Sequence, residues 1–227
     1  WFYRDDNLQK VRSTDDIFDI YERSVGGNSI FLLNIPPNRD GNFSPEDVNV
    51  LKEVGTRIKS TYSNNLLNNA TIDKSLIDND LKTKLVLKAN QNQLEIPLSK
   101  ETTLNRFVIQ EAIDTNGERI EKLALDAWID GNWKEISHSK NVGFKRILRF
   151  PQIKTNKLRL RILESREVPV LSNIGAYLAP NTPPQLAILR NVDGKIKIEP
   201  KRHEFGWKPH GEDILKNLSA DFKIFYT

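Results

Sequence analysis

The 227-residue sequence predicts a mixed fold: the β/α end of a (β/α) barrel, then an antiparallel β-sandwich or jelly roll, then the start of a further small β domain. Three observations predict it. In Gly26-Gly27-Asn28-Ser29-Ile30-Phe31-Leu32-Leu33-Asn34-Ile35-Pro36-Pro37 an apolar run, Ile30 to Leu33, is entered through paired glycines and closed by Asn34 and two prolines. It reads as a strand buried on both faces, and helical patterns at residues 13–24 and 44–60 flank it in the order a (β/α) barrel uses. From about Tyr62 the hydrophobic pattern changes to period two and stays there, with turn signals between short strands. Finally, Pro180-Asn181-Thr182-Pro183-Pro184 reads as a stiff linker with more strand pattern beyond it. The boundaries expected from these changes are 1–62, 63–180 and 181–227.

Each element has a local reason. Trp1-Phe2-Tyr3 are three adjacent aromatics that a core or a ligand must cover, because exposing them together is costly. Ser13-Thr14-Asp15-Asp16 is a helix start, with a hydroxyl cap and carboxylates where the helix dipole favours them. Ile17, Ile20 and Tyr21 follow at helical spacing, and Gly26-Gly27 ends the helix. After the predicted strand, Pro36-Pro37-Asn38-Arg39-Asp40-Gly41 must be a loop, and Ser44-Pro45-Glu46-Asp47 opens the next helix with a cap and proline at N1. Val48, Leu51, Val54 or Gly55, and Ile58 form its inward stripe. Asn64, Asn65, Asn68 and Asn69 punctuate the change to period two. Strands are expected at 84–88, 94–98, 106–112, 120–129, 133–137, 144–150, 157–163, 174–179, 195–199 and 221–227, with Asp130-Gly131-Asn132 as a tight hairpin.

Composition excludes several classes. A formal charge of +4, with charges of both signs interspersed, contains no block that would mark a nucleic-acid partner. No apolar run approaches the roughly 18 residues of a spanning helix. Without cysteine there is neither a disulfide nor a thiolate zinc site. The chain also lacks methionine, opens in the middle of a pattern and ends in an alternating run with no turn after it, so both ends are expected to have been cut from something longer.

The residues offer little catalytic chemistry. Asp5-Asp6 and Asp15-Asp16 are neighbours, but adjacent carboxylates in a loop or helix start point apart, and capping suits them better than catalysis. His138, His203 and His210 are too scattered for helix-borne metal ligation, although His203 and His210 flank Trp207 in a polar segment. Arg146, Arg149, Arg159 and Arg161 either form a basic strip for an acidic glycan or are solvated outer-face residues paired with Glu135 or Glu164.

Two resemblances sharpen this reading. Trp1-Phe2-Tyr3, the helix from Ser13 to Tyr21, Val25-Gly26-Gly27-Asn28-Ser29 through Leu32-Leu33-Asn34-Ile35-Pro36-Pro37, and Gly41 to Leu51 resemble, in order and spacing, glycoside hydrolase family 29, the α-L-fucosidases. Asn105-Arg106-Phe107-Val108-Ile109-Gln110-Glu111, residues 120–128, Gly131-Asn132-Trp133-Lys134-Glu135-Ile136, residues 143–150 and Leu158-Arg159-Leu160-Arg161-Ile162 resemble a discoidin-type (factor five/eight type C) sandwich over roughly residues 66–180. Many family-29 fucosidases carry such a domain directly after the barrel. The region beyond residue 180 resembles the opening of a small sandwich appended to glycosidases.

The first resemblance implies a retaining exo-α-L-fucosidase acting on terminal fucosyl linkages of an oligosaccharide or glycoconjugate, secreted or periplasmic and needing no cofactor. The alternative is a non-catalytic carbohydrate-binding or structural sandwich. The family's nucleophile Asp and acid Glu precede the point where Trp1 falls, so no catalytic residue is assigned here. Trp1 matches the aromatic that packs on the fucose C6 methyl, with plain core burial as the competing reading. The second resemblance admits a structural calcium held by loop carbonyls and Asp side chains, although no spacing demands one. It departs at Lys84, where an aromatic often follows the Asp-x-Asp-x-x-Thr run of Asp78 to Thr83.

Overall fold

The computed structural model describes residues 3–5, 10–180, 186–190 and 192–200. They fall into two units, residues 1–179 and 180–227.

In the first unit, α1 (Thr14–Ser24) and α2 (Pro45–Tyr62) begin as their sequences dictate. Ser13 accepts a hydrogen bond from the Asp16 amide and Ser44 from that of Asp47, each satisfying an otherwise orphan donor. α1 buries Ile17, Phe18 and Glu22, and α2 buries Val54.

The rest of the unit is antiparallel: β1 (Leu85–Val86), β2 (Gln93–Glu111), β3 (Ile120–Ile129), β4 (Asn132–Ser139), β5 (Arg146–Ser165) and β6 (Val170–Tyr177), in the order β1-β6-β2-β5-β3-β4. Two pairs of predicted strands prove to be single long ones. Residues 94–98 and 106–112 join in β2, and 144–150 and 157–163 join in β5, because Thr102, Thr103 and Leu104 between them pair with Thr155, Lys154 and Ile153, flanked by register shifts at Pro97/Thr102 and Leu104/Arg106. At the second shift the side chain of Asn105 replaces the ladder, donating to the Ala179 carbonyl and accepting from its amide. The β3–β4 hairpin turns at Asp130 (φ 53°) and Gly131 (φ 76°), the positive pair a two-residue turn requires. Leu104, Phe107, Ile109, Leu123, Leu125, Leu158, Leu160, Leu171 and Ile174 form the core, closed by Leu67 and Leu76 from the segment before β1.

The predicted strand from Ile30 to Leu33 is not formed. Residues 30–37 carry no regular secondary structure and pair with no strand, with Ile30 91 % and Leu32 89 % exposed. A parallel strand exists only through its neighbours, and the described residues supply none alongside it.

In the second unit β7 (Leu186–Arg190) pairs antiparallel with β8 (Ile196–Pro200). The linker residues 181–184 and the strand expected at 221–227 lie outside the described residues.

Candidate functional site

Trp1, the one residue matched to substrate, lies outside the described residues. Beside it in sequence, Tyr3, Arg4 and Asp5 meet Pro37, Asn38 and Arg39 around an open cavity of about 550 Å³. The loop is turned inward by Asn38, whose side-chain oxygen accepts from the amides of Asp40 (3.0 Å) and Asn42 (2.9 Å). Arg39 can then pair its guanidinium with the Asp5 carboxylate. The cavity's lining residues Pro37, Asn38 and Arg39 follow the Ile30–Leu33 run and Asn34 in sequence.

Every buried carboxylate among the described residues has a structural partner. Glu22 accepts from Arg106 (2.6 and 3.0 Å) and from the Tyr62 hydroxyl (2.6 Å). Asp47 accepts from the Ser44 hydroxyl (2.7 Å). Glu111 accepts from three amides, those of Arg119 (2.8 Å), Ile120 (3.0 Å) and Gly143 (3.0 Å). Asp126 is held by Arg159 and Arg161. Burial alone would push the Asp126 carboxyl up, but hydrogen bonds and charge from Arg161 and Arg159 outweigh it and hold it below the usual carboxylate range. At Glu111 burial prevails over the three donors and pushes the carboxyl up. Asp15 turns to Arg57 (2.5 Å) and Asp16 to Arg12 (2.5 Å), so this adjacent pair points apart.

The four arginines do not form a free strip. Arg146 donates to the Asn141 carbonyl (2.9 Å), Arg149 pairs with Asp19 (2.6 Å), Arg159 and Arg161 converge on Asp126, and Arg161 also reaches Glu135 (2.7 Å). Glu164 takes Lys122 instead (3.2 Å). His138 leans on Glu135 at the surface, whereas His203, Trp207 and His210 lie outside the described residues.

Sequence reading missed Glu22 and Glu111. Glu22 had a signal, standing four residues after Phe18 on the same helix face. Glu111 had none, since its three donors come from residues up to 32 positions away.

No group of three or more His, Cys, Asp or Glu among the described residues is arranged to hold a metal. One corner is nevertheless rich in oxygen. The Thr83 hydroxyl lies 3.2 Å from the Ser75 carbonyl, 3.0 and 2.8 Å from the two Asp78 oxygens and 2.8 Å from the Asp80 carbonyl. One proton cannot serve four acceptors, so the donor set there suits a hard cation. Lys84, next in sequence, turns away to Thr115 (3.1 Å) and Asn116 (2.9 Å).

Comparison with known proteins gives two family matches. Residues 58–173 match the F5/8 type C domain family, and residues 1–62 match the Alpha-L-fucosidase family. Alpha-L-fucosidase 1 of Arabidopsis thaliana is 32 % identical over 197 residues, 78 % of this chain but 38 % of that protein. The crystal structure of SpGH29 superposes with a TM-score of 0.73 at 30 % identity, covering 79 % of this chain and 42 % of that one. A Ruminococcus gnavus GH29 fucosidase in complex with fucose gives a TM-score of 0.72 at 26 % identity, covering 80 % and 39 %. The chain thus spans about two fifths of the length of these relatives. With a match spanning half of its length, the chain belongs to the F5/8 type C domain family, and residues 1–62, which precede most of that match, are similar to the Alpha-L-fucosidase family.

Proposed function

We propose that the protein carrying this chain is a retaining exo-α-L-fucosidase that hydrolyses terminal α-L-fucosyl linkages of glycans. In this reading residues 1–62 are the closing strand and helix of its (β/α) barrel, and the catalytic carboxylates lie upstream of Trp1. The observation that carries it is the likeness to a fucose-bound GH29 structure over 80 % of the chain. A retaining mechanism needs two carboxylates about 5–5.5 Å apart, one nucleophile and one acid, free of other duties. The buried carboxylates described above are committed to arginines, amides or a hydroxyl, which favours a pair located elsewhere.

Trp1 is proposed to pack on the fucose C6 methyl. The full-length protein should hydrolyse 4-nitrophenyl α-L-fucoside with retention, and residues 1–227 alone should not. Trp1→Ala should lower kcat/KM on the order of tenfold to a hundredfold and blunt discrimination against a β-D-arabinopyranoside, the same ring lacking the methyl. Turnover by residues 1–227 alone would refute the upstream assignment. A Trp1→Ala enzyme that is merely less thermostable would return Trp1 to the core.

We also propose that Ser75, Asp78, Asp80 and Thr83 hold a structural calcium. The support is the oxygen cluster around the Thr83 hydroxyl. EDTA should lower the Tm of the parent protein and added calcium should restore it, while Thr83→Val should remove the response. A Tm indifferent to EDTA rules the site out.

A further inference from the structure

A buried ionic cluster joins the segment of residues 1–62 to the sheet. Glu22 of α1 is 2 % exposed. One of its oxygens accepts from Arg106 Nε (2.6 Å) and Tyr62 Oη (2.6 Å), and the other from Arg106 Nη2 (3.0 Å), with Arg149 Nη1 at 3.5 Å. Arg149 also holds Asp19 (2.6 Å), one helical turn earlier. Both arginines belong to the sheet, Arg106 to β2 and Arg149 to β5, so two strands grip one face of one helix.

The grip continues where α1 ends. The Ile147 amide donates to the Gly26 carbonyl (2.9 Å), the Asn28 amide to the Lys145 carbonyl (3.0 Å), and the Phe144 amide to Asn28 Oδ1 (2.7 Å). Asn28 Nδ2 donates to Glu118 (2.8 Å). The backbones approach so closely that a Cβ on Gly26 would lie 2.5 Å from the Ile147 Cβ, and one on Gly143 2.1 Å from Asn28 Nδ2. Tyr62, at the end of α2, packs edge-on against Tyr177 of β6 at 5.2 Å. Immediately after this seam the chain enters residues 30–39, which lead past Asn34 to the cavity at Pro37, Asn38 and Arg39.

We propose that the F5/8 type C sheet serves as a positioning brace for the active-site end of the fucosidase segment, acting through Glu22, Arg106, Arg149 and the pairing of residues 26–28 with the start of β5. The sheet then contributes to turnover even on a substrate with no glycan for it to bind. A buried carboxylate gripped by two arginines has one satisfied arrangement, and removing a partner leaves charge uncompensated, so the seam holds one geometry. Arg106 and Arg149 are positioning residues, acting on residues 30–39 through α1 and the turn. The activity part rests on the fucosidase reading; the conformational part does not.

The test compares Glu22→Gln, Arg149→Gln, Arg149→Lys and Asn28→Ala in the full-length protein. Amide hydrogen exchange at residues 22–29 should quicken about tenfold or more in Glu22→Gln and Arg149→Gln, with the β3–β4 hairpin unchanged. kcat for 4-nitrophenyl α-L-fucoside, measured well below the melting transition, should fall several-fold in the same variants, and Arg149→Lys should recover part of both effects. Asn28→Ala loosens the turn without stranding a buried charge, so it serves if the charge variants fail to fold. Unchanged exchange at residues 22–29, or quickening spread evenly over the whole sheet, overturns the brace. Local quickening with unaltered kcat overturns its role in turnover. If the parent enzyme does not cleave the fucoside, the fucosidase reading falls and exchange alone decides the brace.

Discussion

Asp126 points away from the core on β3, yet it is only 1 % exposed, because Arg159 and Arg161 from β5 close over it. Arg159 in turn lies 4.5 Å over the Trp133 ring, and Trp133 meets Trp128 edge-on at 5.2 Å. The arginines are therefore committed to covering an aromatic and acidic patch. Asp126→Asn leaves Arg159 without a counter-charge and Arg161 with Glu135 alone, and should cost about 2–4 kcal/mol in urea unfolding. The pH dependence has a definite sign. A carboxyl held below its unfolded value, roughly 3.9, contributes stability in full above that pH and loses it as pH falls through the lower folded value. Asp19, held down by Arg149 and Arg23 against burial, behaves alike. Asp126→Asn should thus be penalised fully at pH 6 and much less near pH 3. An equal penalty at both values would show that packing, and not charge, is what the residue supplies.

Glu111, at the end of β2, ties together two other elements: the first residues of β3 through the Arg119 and Ile120 amides, and the turn before β5 through Gly143. Its carboxyl is pushed up by burial, so neutralising it looks harmless on charge alone. Hydrogen-bond count says otherwise. Glutamine turns one acceptor into a donor and faces it toward an N–H, leaving two donors without a partner. Glu111→Gln should destabilise by about 2–3 kcal/mol, and exchange should quicken first at Gly143 and Ile120. A neutral effect would mean that desolvation of the charge is the larger quantity. The elements most legible in sequence were those whose signals are local: the capped helices, residues 120–129 and the Asp130-Gly131 hairpin. β2 and β5 were read as two strands each because polar residues such as Thr103 and Lys154 resemble loop, while their backbone pairing depends on partners distant in sequence. β6 is buried at every position, so it has no period to find beyond its apolar end.

Taken as a whole, the unit of residues 1–179 joins helix and sheet through a mixed ionic and aromatic seam and leaves one apolar segment uncovered. Ile30, Leu32 and Phe43 stand exposed. An exposed apolar run with unpaired backbone is a template for self-association. Residues 1–227 alone should therefore associate reversibly at high concentration, and Ile30→Ser with Leu32→Ser should suppress this while changing Tm little, since neither side chain is buried. Sedimentation across a concentration series measures the first effect and a thermal melt the second. A large fall in Tm for the double variant would show that the segment packs on the unit after all.

What the sequence determined by itself was whatever a few adjacent residues can enforce. Caps, turn residues and periodicity set the helices, the hairpin and the all-β middle, and the order of Gly26 to Pro37 and of the later strands carried the family. What only the tertiary structure decided were relations between distant residues: that Glu22 belongs to Arg106 and Arg149, that Asp126 consumes the arginines of β5, and that Glu111 closes three elements at once. The run Ile30 to Leu33 shows the same division. Its apolar residues are local and were legible, but a parallel strand is defined by the neighbours that accept its hydrogen bonds, and the described residues offer it none.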